Sequence, residues 1–158
     1  MRAVTLVLGG ILVLAACGGD GGSGADERQA AIYAAAIGSA ASNATTPTGE
    51  PFDGPVFVVG SEDNDIGLEL QADIVDLLDD LTVTFVDDAD EAIEESDDTA
   101  PVRDDGLLLT LGGIRGNGTE RTVPVVVYQA VGDEERYSVT LQRRDDQWTA
   151  TGTAVPTT

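Results

Sequence analysis

From residue 107 onward the chain alternates. Leu107, Leu109 and Leu111 are interleaved with Leu108 and Thr110, and Tyr137, Val139 and Leu141 with Ser138 and Thr140. Trp148, Ala150, Gly152 and Ala154 are interleaved with Thr149, Thr151 and Thr153. A period of two sends successive side chains to opposite faces of a strand. Gly116-Asn117-Gly118, Gly132-Asp133-Glu134 and Asp145-Asp146 separate the runs. These residue types suit tight turns and tolerate positive φ. Segments 107–111, 122–131, 135–144 and 148–154 therefore read as an antiparallel meander with one buried and one solvated face. Pro124 belongs near the start of its strand or on an edge, because it has no N–H to give to a ladder.

The pattern upstream is different. Ile32, Tyr33, Ala36, Ile37 and Ala40 share one face at helical spacing, with Asp26 placed to cap, and predict a helix over 27–41. Its alanines suit close packing on a sheet. Val56-Phe57-Val58-Val59-Gly60 is a short continuous apolar run and predicts a strand covered on both faces. Ile66, Leu70, Ile74, Leu77, Leu78 and Leu81 predict a helix over 66–80, with Glu69, Asp73, Asp76, Asp79 and Asp80 outward. Val83-Thr84-Phe85-Val86 predicts a second strand, completing a strand–helix–strand unit. The expected fold class is α+β: N-terminal helices packed on one side of a curved, mainly antiparallel sheet that ends in a meander. A helix first and a Trp-bearing meander last loosely resemble the small cystatin-like and NTF2-like folds. The unit at 56–86 departs from that order. Residues 26–158 form the expected single domain, long enough for one core.

The amino-terminal residues have another purpose. Arg2 supplies a positive start, and residues 3–14 are apolar apart from Thr5 and Gly9-Gly10. Such a run is too short to span a bilayer, which takes roughly 20 apolar residues, and it reads as a signal peptide over 1–16. Leu14-Ala15-Ala16-Cys17 closes it and resembles the lipobox of bacterial lipoproteins: an aliphatic residue, two small residues, then cysteine. The resemblance implies cleavage before Cys17, acylation of its sulfur, and often acylation of its new amino group. Several acyl chains anchor stably, since each buried CH₂ contributes about 0.8 kcal/mol. The implied location is the cell membrane, facing outside the cytoplasm. Gly18-Gly19-Asp20-Gly21-Gly22-Ser23-Gly24 predicts a flexible tether over 17–25.

Charge and missing residue types exclude whole classes of function. The net charge is −21. Residues 17–99 hold 21 acids and one arginine, whereas residues 100–158 hold 8 acids and 6 arginines. So acidic a chain repels the phosphates of nucleic acid and of anionic lipid, and no nucleic-acid partner is expected. Histidine and lysine are absent and Cys17 is the only cysteine. That removes histidine-activated nucleophiles, histidine metal sites, Schiff bases and the phosphate-binding loop lysine. With Cys17 acylated, disulfides and thiolate metal sites are also excluded. A carboxylate pair for acid–base work remains chemically open, but it requires a sheltered acid, and these acids fall on expected outer faces and turns.

Few residues stand out as candidate sites. The run 87–98 carries eight carboxylates and no positive charge. Asp87, Asp88, Asp90 and Glu91 are weak candidates for a divalent cation such as Ca²⁺, without the spacing of a calcium loop. The plainer expectation is a solvated acidic face, with Ala89, Ala92 and Ile93 giving a short helix a weak apolar edge. Alternation places Arg136 and Arg144 beside Ser138, Thr140 and Gln142, on a face open to an anion or a protein partner; Arg143 falls on the other face. These arginines also suit simple neutralisation of nearby acids. Tyr33, Phe57, Phe85, Tyr128, Tyr137 and Trp148 are expected in the core. Asn43-Ala44-Thr45 and Asn117-Gly118-Thr119 match the N-glycosylation pattern. No cofactor is expected beyond the lipid. The sequence thus favours an acidic, lipid-anchored, non-enzymatic module for an envelope protein partner, with a small-ligand or cation-binding lipoprotein as the alternative.

Overall fold

A computed structural model describes residues 23–46, 49–94, 98–151 and 155–156. Helix α1 (Ser23–Asn43) precedes β1 (Val56–Gly60), α2 (Leu68–Asp76) and β2 (Val83–Phe85). The meander follows as β3 (Leu107–Leu111), β4 (Glu120–Ala130), β5 (Asp133–Arg144) and β6 (Gln147–Ala150), with β7 (Val155–Pro156) last. The strands form one sheet in the order β2-β1-β3-β4-β5-β6, and β7 pairs with β5. β1 lies parallel to both neighbours, with Val56 opposite Val83 on one side and Leu107 on the other. All remaining pairings are antiparallel. The architecture is α+β, with helices packed on a curved sheet.

The main core lies between the helices and one sheet face. Ile32, Tyr33, Ala36, Ile37 and Ala40 of α1 are buried, as their spacing requires. They meet Val56 and Val58 of β1, Leu107, Leu109 and Leu111 of β3, Val123 and Val125 of β4, and Val139 and Leu141 of β5. Each such side chain contributes about 1.5–3 kcal/mol on burial. The alanines let α1 approach β4, β5 and β6 closely.

The opposite face is partly covered. Phe57 and Leu108 pack there with Ala92 and Val102, flanked by Val59, Ala89, Ile93 and Tyr128. β1 is thus covered on both faces, as its unbroken apolar run requires. So is Leu108, which the alternation of its strand assigned to the solvated face. Its cover is the acidic segment itself. Ala89–Ala92 forms a 3-10 turn whose Ala92 is fully buried while Asp90 and Glu91 point outward. Backbone bonds strap the residues just after this segment to β4 and its following turn: Val102 N–H donates to Gln129 O at 2.9 Å and Val131 N–H to Thr99 O at 2.8 Å. The Tyr128 hydroxyl donates to Ala100 O at 2.7 Å.

Three boundaries differ from expectation. α1 begins at Ser23, so 23–25, expected in the tether, are helical. α2 starts at Leu68 with Gly67 as its N-cap and ends at Asp76, well inside the expected 66–80. Asp79 and Asp80 are poor helix formers, and their charge opposes the negative end of the helix dipole. Leu77 therefore leaves the buried stripe and is 55% exposed. The turn between β4 and β5 is tighter than expected: β5 already starts at Asp133, and Gly132 takes φ +86°. Of the expected last strand, 147–150 is strand, and residues 152–154 lie outside the described ones.

Candidate functional site

The parallel pair β1–β2 creates a cleft where its carboxyl ends open. Such ends are where ligands bind in parallel sheets. Here Ser61, Glu62, Asn64, Asp65, Gln71 and Asp87 surround about 210 Å³. Asn64 fixes its floor. Its Nδ2 donates to Leu111 O at 3.0 Å, and the Tyr33 hydroxyl donates to its Oδ1 at 3.0 Å. Burial raises the pKa of Tyr33 above the ordinary phenol value, against the lowering effect of its bond to Asn64. Gly60 permits the turn, because a Cβ there would lie 2.1 Å from Asn64 O. No local sequence pattern singles out Asn64. Its bridging role depends on β3, distant in the chain.

Arg136 and Arg144 share a face but not a site. They stand eight positions apart along the strand, about 27 Å at 3.4 Å per residue. Arg136 pairs with Glu134 at 2.8 Å. Arg144 donates to Gln142 Oε1 at 3.3 Å. Each is answered locally, and no single small anion reaches both. Arg143 lies opposite Trp148 in register and pairs with Asp146. The Arg121 guanidinium sits 5.6 Å from the Trp148 ring centre, a contact that alternation alone does not reveal.

The acidic candidates are dispersed. Asp88 Oδ1 accepts the Asp90 N–H at 3.2 Å and so caps the 3-10 turn. Asp87 faces the cleft beyond β2 instead. Among the described residues no group of three or more acids is placed to hold a metal ion. All described Asp and Glu residues are exposed.

Of the expected core aromatics, Tyr33, Phe57 and Trp148 are buried, whereas Phe85, Tyr128 and Tyr137 are half-buried. Tyr137 borders a second cleft of about 260 Å³ with Asn43, Thr45, Gln129, Asp133 and Glu135. Its hydroxyl donates to Glu135. Burial, then that bond and the charges of Glu135 and Asp133, push its pKa up to about 12. Asn43, in the first glycosylation pattern, ends α1 and donates to Ser39 O at 2.7 Å. Asn117, in the second, is exposed in the turn before β4. Cys17 lies outside the described residues.

No known protein family, curated protein or solved structure matches the chain. No described helix is long and apolar enough to cross a membrane.

Proposed function

We propose that this chain is a lipid-anchored envelope lipoprotein whose acidic domain binds a protein partner without catalysing a reaction. The observation that carries the reading is the spacing Leu14-Ala15-Ala16-Cys17 behind a short apolar run. Two features support the binding role. The clefts beside Asn64 and Tyr137, about 210 and 260 Å³, fall below the roughly 300–1,000 Å³ of small-molecule pockets, and the hollow of about 420 Å³ beside α2 is an open trough, not an enclosed pocket. The described carboxylates are all exposed, without the shelter that tunes a catalytic acid. The anchor places the domain outside the cytoplasm, facing other envelope proteins.

The test is made in a bacterial host that processes lipoproteins. The full chain is expected to incorporate labelled fatty acid and to pellet with membranes, and processed Cys17→Ser to do neither. Cleaved Cys17→Ser that still pellets after a carbonate wash overturns the anchor. Carbodiimide cross-linking of the anchored chain's carboxylates to amines of its neighbours in intact envelopes is expected to give a discrete protein adduct. Its absence overturns the binding role.

A further inference from the structure

The outer face of α2 meets the free edge of β2 along an apolar trough. Leu68, Ala72 and Val75 recur at helical spacing but lie off the buried stripe, and Leu68 is 81% exposed. Together with Phe85 they line about 420 Å³ of open space. β2 pairs with β1 alone. Val56 N–H donates to Thr82 O, and Val86 N–H to Val58 O. Alternation therefore turns the N–H and C=O groups of Val83 and Phe85 toward the outer edge. Among the described residues, no strand pairs there.

An exposed leucine beside an open strand edge invites association. The surrounding charge decides with what. Glu69 and Asp76 stand on α2, Asp79 and Asp80 precede β2, and Asp87 and Asp88 follow it, all exposed. A second copy of this face would oppose acid to acid, so self-pairing is disfavoured. A basic chain is attracted by the same charges.

We propose that this trough receives an extended basic segment of the protein partner, added to the sheet as a strand beside β2. Backbone bonds to Val83 and Phe85 hold the segment. Its apolar side chains cover Leu68 and Val75, and its arginines or lysines face the flanking acids. The assignment rests on the binding-module reading and names the partner's chemistry.

The probe is a short synthetic peptide alternating valine with arginine, titrated into the isotope-labelled full chain in detergent. A valine–glutamate peptide is the control. The arginine peptide is expected to move the amide resonances of Val83, Thr84, Phe85 and α2 first, with affinity falling as salt rises. Leu68→Ser, at an exposed position, removes the apolar contact without adding charge and is expected to weaken binding by about tenfold or more. Val83→Pro removes an outward donor and is expected to act likewise; if it misfolds, Leu68→Ser decides. No saturable change at β2 overturns the proposal. So do changes spread over all the acids and indifferent to Leu68→Ser, which report charge attraction alone. If envelope cross-linking finds a partner while the peptide fails at β2, the surface is wrong and the binding module stands. If cross-linking finds none, the module reading falls, whatever the peptide does.

Discussion

The Tyr33 hydroxyl and the Asn64 side chain, one on the long helix and one in the turn after β1, are joined by a 3.0 Å hydrogen bond. Asn64 extends it to Leu111 of β3. One amide thus links the helix layer to two parallel strands. Asn64→Ala leaves the buried Tyr33 hydroxyl without this partner and is expected to cost about 1–3 kcal/mol in urea unfolding. Tyr33→Phe removes one bond and is expected to cost about 1 kcal/mol.

Gly60 guards the same turn from the other side. Gly60→Ala drives a methyl into Asn64 O and is expected to destabilise by about 1–3 kcal/mol or more. Gly67→Ala is the milder comparison, since nothing lies within 4 Å of a Cβ there. It loses only the preference of a helix N-cap for glycine over alanine and is expected to cost about 0.5–1 kcal/mol.

Tyr137 makes stability sensitive to alkali. Its folded pKa, about 12, lies above the ordinary 10.0, so the folded chain keeps a proton that the unfolded chain releases. The contribution is complete below pH 10 and is lost as pH rises toward 12. Tyr137→Phe is expected to flatten this loss. Denaturant unfolding of both proteins across that window measures it, and identical slopes would refute the assignment.

The acidic segment predicts a response to ions. Monovalent salt screens the crowded carboxylates over about 8 Å at 0.15 M ionic strength and is expected to raise the melting temperature. Calcium at matched ionic strength is expected to add little, because Asp87 and Asp88 serve different surroundings. A stoichiometric calcium heat in calorimetry, lost in Asp87→Asn with Asp88→Asn, would contradict this.

Ala92 tests whether the segment is held by its apolar underside. Ala92→Asp places a charge at a fully buried position against Phe57 and Leu108. Hydrogen exchange at the Val102 amide is expected to quicken while that of the main core is retained.

Local pattern anticipates most of the elements. The α1 stripe and the double burial of β1 follow from helical spacing and an unbroken Val-Phe-Val-Val run. Leu108 shows the limit: the same kind of run reads there as alternation, because its cover is a separate segment whose charge hides the apolar anchors Ala89, Ala92 and Ile93. Pairing of β1 with β3 is equally invisible locally, since register is decided by partners far along the chain. The early end of α2 is legible in Asp79 and Asp80, where propensity and dipole prevail over the Leu77-Leu78-Leu81 spacing. Arg136 and Arg144 share a strand face, as alternation implies. Their separation and local partners follow from strand length and from neighbours that periodicity does not rank.

The neighbours β1 and β3 impose an order of assembly. Tyr128 finds Glu134 around the tight turn at Val131-Gly132, a closure of microseconds. Val56 must find Leu107 across α2, β2 and the whole acidic segment. The meander is therefore expected to form first and to serve as a template. The arrival of β1 is then the slow step, delayed further by repulsion among the carboxylates of the intervening loop. Charge that keeps the finished surface soluble thus acts as a brake during folding, and refolding is expected to quicken with added salt.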